Sequence, residues 1–136
     1  MKLPIIAAIL KNHSSSDDDC LHLSIENPPY MRLVIEDIGL GPNHLPAISV
    51  AHYFEQNGDL CQDPEMCFEV ERGGDDFGFM PYMFQQANPP VYHMIESNST
   101  GHALRKQLEV FAAQWDKNIG EQGILKAADV GEPSAS

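Results

Sequence analysis

Apolar residues recur at helical spacing near both ends of the chain. Near the start, Pro4 suits a first helical turn, and apolar residues between positions 5 and 10 follow a helical period. This pattern predicts a short helix over residues 4 to 13. Near the end, apolar residues step by 4, 3, 4 and 4, which predicts an amphipathic helix that Gly120 ends: Leu104, Leu108, Phe111, Trp115 and Ile119.

Between these helices, apolar and polar residues alternate, as they do in antiparallel strands with one face in water. The alternation is clearest over residues 66 to 71, where Met66, Phe68 and Val70 face one way and Cys67, Glu69 and Glu71 the other. Asn57-Gly58 is the strongest of the turn signals that separate the strands. The patterns predict an α+β fold. It is an antiparallel β-meander of four to six strands, with an N-terminal and a C-terminal helix covering one face and an acidic face left exposed.

The length of 136 residues suits one domain. We predict a single α+β domain over residues 1 to 122 and a mobile C-terminal tail over residues 123 to 136, where no pattern is sustained. The three cysteines are an odd number and lack zinc-type spacing, which predicts reduced thiols in a cytoplasmic protein. No stretch approaches the roughly 18 apolar residues of a membrane span.

Acidic residues outnumber basic ones by 20 to 8, so the net charge is -12. Residues 14 to 76 carry the whole imbalance, because they hold 14 acids and only two bases. Binding to nucleic acid or to an anionic membrane through bulk electrostatics is thereby excluded, since both need clustered Lys and Arg. A field of this sign attracts a basic protein surface instead.

A second surface is predicted from residues 79 to 85, which are apolar on both faces of the strand they form. Two helices can cover only one side of a sheet, so part of this stretch needs another cover. Methionine adapts to more than one partner surface. We therefore predict contact with a partner or with a second copy of the chain, through Phe79, Met80, Tyr82 and Met83.

The densest polar block, residues 52 to 65, is the candidate for chemistry. It contains five potential metal ligands or acid-base groups: His52, Glu55, Asp59, Asp63 and Glu65. Their spacing matches neither an EF-hand nor a nuclease motif, and His52 alternates with apolar residues that face the predicted core. Phosphate-loop, dinucleotide and nucleophile-elbow motifs are absent from the sequence. A non-catalytic protein without a cofactor is the leading expectation, and a metal-dependent hydrolase or nuclease built on this block stays open.

The same block carries a resemblance. His52 to Leu60, followed by Asp63-Pro64-Glu65-Met66, resembles the signature of a family of small domains of unknown function encoded largely on plasmids, conjugative elements and phages. The likeness extends over about residues 28 to 96. It implies an α+β fold and a mobile-element setting, and it implies no established activity.

These observations together predict a counter-defence protein. A small, acidic, non-catalytic protein of a mobile element can inhibit a host complex that handles nucleic acid, as an anti-CRISPR or anti-restriction protein, by placing carboxylates where phosphates bind. The acids expected at that contact are Asp17, Asp18, Asp19, Glu55, Asp59, Asp63, Glu65, Glu69, Glu71, Asp75 and Asp76. An accessory scaffold of the element's own replication or transfer machinery shares the same features and stays open.

Overall fold

The computed structural model describes residues 1–13, 22–27, 30–56, 59–73, 76–86, 90–95, 102–124 and 126, with the backbone alone at 12–13, 54–56, 59–63 and 76. These residues form α1 (Pro4–His13), β1 (His22–Ile25), β2 (Arg32–Leu40), β3 (Pro46–Gln56), β4 (Asp59–Gly73), β5 (Asp76–Gln86), β6 (Val91–Met94) and α2 (His102–Glu121). Each strand pairs antiparallel with the next, in the order β1-β2-β3-β4-β5-β6. The predicted meander with its two terminal helices is confirmed.

Both helices pack on one face of the sheet, which we call the helix face. It carries the apolar residues Leu33, Ile35, Val50, Met66, Phe68 and Phe84. From α2, the ring of Phe111 packs against Phe84 with centroids 4.8 Å apart. From α1, Ile6 and Ile9 are fully buried in the same core. None of the helices in the described part of the chain is both long and apolar enough to cross a membrane.

The opposite face, which we call the polar face, carries Ser49, Glu65, Cys67, Glu69 and Gln85. Alternation places these residues on one side, as predicted. The expectation that this side is an exposed acidic surface is wrong at its centre, because Ser49, Cys67 and Glu69 are buried. Glu65 and Gln85 are half-buried. The polar face therefore belongs largely to the interior of the protein.

A β-bulge changes the expected character of β5. Cys67 of β4 pairs with Met83, whereas the next residue, Phe68, pairs with Pro81, so Tyr82 is an extra residue in β5. Phe79, Tyr82 and Met83 are all buried, and Met80 is half-buried. The predicted apolar contact surface is thus core at three of its four positions. These three side chains are buried within the chain itself and are not available to a partner.

The C-terminal end of α2 lies slightly beyond its predicted position. The helix continues through Gly120 to Glu121, and Gly123 takes the positive φ of 75° that glycine adopts most readily. Gly120 instead gives room to α1, because a Cβ there would lie 3.0 Å from Ile5 Cδ1. Ile124 is buried, so the packed part of the chain extends past residue 122. Residue 125 and residues 127–136 of the predicted tail lie outside the described residues.

The first turn of α1 has no acidic residue of its own, and α2 supplies one. Asp116 Oδ2 accepts a hydrogen bond from the backbone N–H of Ile5 at 3.1 Å, and Oδ1 accepts one from Ile6 at 2.9 Å. Helix N-termini leave such N–H groups without partners inside the helix, and a negative charge there is favourable. Burial raises the pKa of Asp116, and the two hydrogen bonds act in the opposite direction. This contact fixes the two helices to each other.

We expect Asp116→Ala to lower the free energy of unfolding by about 1 to 2 kcal/mol, because two buried N–H groups lose their acceptor. Urea denaturation followed by circular dichroism measures the change. Lys117→Ala, on the exposed side of the same helix turn, is the matched control and should stay within about 0.5 kcal/mol of wild type. Equal stability of the two variants would contradict the capping role.

Candidate functional site

The loop between β2 and β3 closes over the carboxylate of Glu69. The backbone N–H of Asn43 donates to Oε2 at 2.7 Å, the Asn43 side-chain amide donates to Oε1 at 2.7 Å, and the Leu45 N–H donates to Oε2 at 3.3 Å. Glu69 is only 1% exposed as a result. Both of its oxygens are occupied within the chain, so Glu69 is not available to a partner in this conformation.

Gly41 makes this closure possible. The backbone of Gly41 runs against the Glu69 side chain, and a Cβ at position 41 would lie 2.6 Å from Glu69 Oε2. The loop is further held by hydrogen bonds from Gly41 N–H to the Leu45 carbonyl and from His44 N–H to the Gly41 carbonyl. Gly41 is the only local hint of Glu69 burial in the sequence, and it reads equally well as an ordinary turn residue.

Glu65, the second acid of the polar face, is also held by neighbours within the chain. Ser49 Oγ donates to one of its oxygens, and Gln85 Nε2 donates to the other at 2.6 Å. These contacts tie β3, β4 and β5 together across the face. Glu65 is half-buried and therefore offers less of its charge to solvent than the sequence pattern suggested.

Cys67 and Tyr82 lie beside these carboxylates. Burial and nearby Glu65 raise the pKa of the Cys67 thiol to about 12, although a hydrogen bond with Ser49 acts in the opposite direction. Burial and the nearby Cys67, Glu69 and Glu65 raise the pKa of Tyr82 to about 12. Both groups keep their protons at neutral pH, and the thiolate is the reactive form of cysteine. Neither side chain is therefore ionised at neutral pH, and the hydrogen bonds of the polar face link neighbouring strands.

His52 lies on the helix face, as its alternation with apolar residues predicted. Trp115 Nε1 donates to His52 Nδ1 at 3.2 Å, and the two rings meet edge to face. Because Nδ1 accepts this bond, the proton of the neutral ring resides on Nε2, which is buried without a hydrogen-bond partner among the described residues. Burial lowers the pKa of His52 to about 4. His52 is a neutral core histidine at physiological pH.

The predicted five-residue metal site requires His52 and Glu65 to converge, and this requirement is wrong. Glu65 pairs with Ala51, so the next residue of β3, His52, points to the opposite face of the sheet. His52 and Glu65 therefore do not converge on one ion. Within the part of the chain that the structure describes, no three His, Cys, Asp or Glu side chains are placed to hold a metal. The side chains of Glu55, Asp59 and Asp63 lie outside the described part.

The remaining predicted contact acids are placed as follows. Glu71 is exposed on β4, and the backbone of Asp76 begins β5. Asp17, Asp18, Asp19 and Asp75 lie outside the described residues. Within the described part of the acidic stretch, two exposed acids lie outside the predicted set: Glu26 directly follows β1, and Asp37 lies in β2. A polar residue in an alternating strand gives no local sign that distinguishes exposed Asp37 from buried Glu69.

Residues 4–125 match the family described as "Domain of unknown function (DUF6908)". The chain belongs to this family. The match includes every helix and strand of this DUF6908 domain, in agreement with the resemblance to small domains of unknown function. No curated protein and no solved structure matches the chain.

The DUF6908 domain also has an open cavity of about 860 Å³ between α1 and the ends of β2 to β5. Its apolar lining comes from segments far apart in sequence: Leu10, Leu45, Ile48, Val70 and Phe77. Two bases and two acids also line it: Lys2, Arg72, Asp37 and Glu71. Arg72 is held over the Phe77 ring, with its guanidinium carbon 5.1 Å from the centroid. The two positive and two negative charges balance, so this cavity does not favour a ligand of either charge.

Proposed function

We propose that this DUF6908 protein is a non-catalytic protein of a mobile genetic element that binds and inhibits a host defence complex handling nucleic acid. The observation that carries the proposal is the net charge of -12, all of which arises within residues 14 to 76. A CRISPR effector or a restriction enzyme exposes Lys and Arg that contact phosphates. An acidic protein surface competes for those residues by complementary charge.

Exposed acids of this stretch support the proposal. Glu26, Asp37 and Glu71 present carboxylates to solvent. The two bases of the stretch keep their charge over aromatic rings, Arg32 over Tyr53 at 5.8 Å and Arg72 over Phe77 at 5.1 Å, but its 14 acids outnumber them. Glu65 and Glu69 no longer count among the contact acids, because they are engaged inside the protein.

The positions and protonation states of Cys67 and His52 exclude one catalytic arrangement, a cysteine nucleophile paired with a histidine base. Catalysis by a cysteine requires a thiolate, usually paired with a base. Cys67 is a thiol with a pKa of about 12 on the polar face, and neutral His52 lies on the opposite face of the sheet. These two side chains therefore cannot form a nucleophile and base pair.

Inhibition by the purified protein is the direct test. Added to a purified CRISPR effector or restriction enzyme, the protein should reduce cleavage, and excess DNA should relieve the inhibition because both compete for the same basic residues. Co-purification from a host that carries such systems identifies the target. Recovery of only metabolic proteins, with no inhibition of any nuclease, would reject the proposal. A partner from the element's own replication or transfer machinery would favour the accessory scaffold instead.

Charge reversal locates the contact. We expect Asp37→Lys combined with Glu71→Lys to slow association with the basic partner by roughly tenfold at low salt and to flatten its salt dependence. Surface plasmon resonance at several salt concentrations measures both effects. The matched control is Glu109→Lys combined with Glu121→Lys on α2, which changes the net charge by the same amount.

Equal weakening by both double variants would show that net charge alone matters. Unchanged binding of the Asp37 and Glu71 variant would exclude these positions and leave the sequence-predicted Asp17, Asp18 and Asp19 to be reversed in the same assay.

A further inference from the structure

The edge strand β6 is short, but none of its side chains carries a charge that would oppose association through a sheet edge. β6 pairs with β5 on one side, and on its other side no strand pairs with it among the described residues. Natural edge strands commonly carry Lys or inward charges that block pairing with another chain. The sequence of β6, Val91 to Met94, contains no Asp, Glu, Lys or Arg.

Apolar side chains are exposed on both sides of this edge. Tyr92 and Met94, which pair with Gln85 and Met83, project from the polar face and are 59% and 44% exposed. On the helix face, Phe111 of α2 is also exposed, next to Phe84 and the His93 ring that stacks on it. The exposed apolar residues at this edge therefore lie on β6 and α2, whereas the residues of β5 that were predicted for association are largely buried.

The distribution of charge selects the occupant. Residues 14 to 76 carry a net -12, whereas β6 carries no Asp, Glu, Lys or Arg and α2 has three acidic and three basic residues. A basic partner is therefore drawn to the acidic stretch, whose acid-bearing strands are mainly β2, β3 and β4, and not to β6. A second copy that docks at β6 leaves β5 and β6 of each copy between these acidic strands, which reduces their repulsion, and salt screens the remainder.

We propose that two copies of this chain pair through β6, antiparallel and about a twofold axis at His93, so that the two sheets become continuous. This register places Tyr92 of each copy across from Met94 of the other on the polar face, a contact of an aromatic ring with a thioether that is favourable. The arrangement is self-complementary, as a twofold interface requires. The dimer has one acidic region on each side of the β6 pairing, and the proposal does not depend on the identity of the basic partner.

Light scattering coupled to size exclusion, at low and high salt, tests the proposal on the full chain. We expect a dimer, tighter at high salt, and a rise of at least about thirtyfold in its dissociation constant for Tyr92→Lys combined with Met94→Lys. Leu40→Lys is the matched control, because Leu40 is 64% exposed on β2 and its replacement should leave the dimer intact. Circular dichroism shows whether each variant is folded.

The register has its own test. Tyr92→Lys combined with Met94→Glu places opposite charges across the twofold axis, so this variant should recover the dimer that the double lysine variant loses. Failure of this recovery would overturn the register. A wild-type monomer at both salts, or a dimer that the double lysine variant does not weaken, would overturn the interface, while inhibition of the defence complex by a monomer would leave the proposed function standing.

Discussion

Replacing Glu69 by alanine is expected to lower the free energy of unfolding by about 3 to 4 kcal/mol. The substitution removes the acceptor of three N–H groups, on Asn43 and Leu45, that the loop buries against the carboxylate. Buried donors without an acceptor are costly, and hydrogen bonds to a charged group are stronger than those between neutral groups. Urea denaturation measures the loss.

Two further variants separate this structural role from a contact with a partner. Glu71→Ala changes an exposed acid two residues along the same strand and should stay within about 0.5 kcal/mol of wild type. Glu69→Gln keeps the shape but turns a donor toward the loop, so an intermediate loss of about 2 kcal/mol is expected. It should bind the basic partner as wild type does. A stable Glu69→Ala variant with weakened partner binding would contradict this structural role and show that Glu69 contacts the partner.

Local signals in the sequence were sufficient to predict the order and type of the helices and strands. α1 spans the predicted residues 4 to 13, because proline at the first turn and a helical apolar period act within a few residues of each other. The Asn57-Gly58 signal falls between β3, which ends at Gln56, and β4, which begins at Asp59. Each of these features depends on neighbours in the chain.

The solvent exposure of individual side chains could not be predicted from such local signals. Alternation correctly assigned Glu69 to the face opposite Phe68, but the loop that covers Glu69 comes from residues 41 to 45, far earlier in the chain. The bulge at Tyr82 is a property of the pairing between β4 and β5, so neither strand alone reveals it. For the same reason, the sequence pattern predicted Phe79 and Met83 to be exposed apolar residues, whereas both are buried in the core.

The surface of the chain has an acidic part and a part without charged residues. The acidic stretch, residues 14 to 76, uses two of its acids internally, at Glu65 and Glu69. The edge strand β6 has no Asp, Glu, Lys or Arg and exposes Tyr92 and Met94. A protein arranged in this way can associate with itself through β6 and still attract a basic target through its acidic stretch, because the two contacts do not share residues.

Acidification is expected to destabilise the fold through His52. Burial lowers its pKa from the ordinary 6.5 to about 4. As the pH falls below 6.5, the unfolded chain takes up a proton that the folded protein refuses until about pH 4. The contribution of His52 is therefore complete above pH 6.5, declines between 6.5 and 4, and is lost below. The expected decrease in the free energy of unfolding is about 3 kcal/mol.

Urea denaturation at pH steps between about 7 and 4 measures this slope. His52→Gln should flatten it, because glutamine can accept the hydrogen bond from Trp115 Nε1 without titrating. His93→Gln is the matched control, since His93 is exposed and its replacement should preserve the slope. The raised pKa of Asp116 acts in the opposite sense above its ordinary 3.8, because the folded protein then takes up that proton first. A slope that persists in His52→Gln would assign the acid sensitivity to other groups and contradict a neutral buried histidine at position 52.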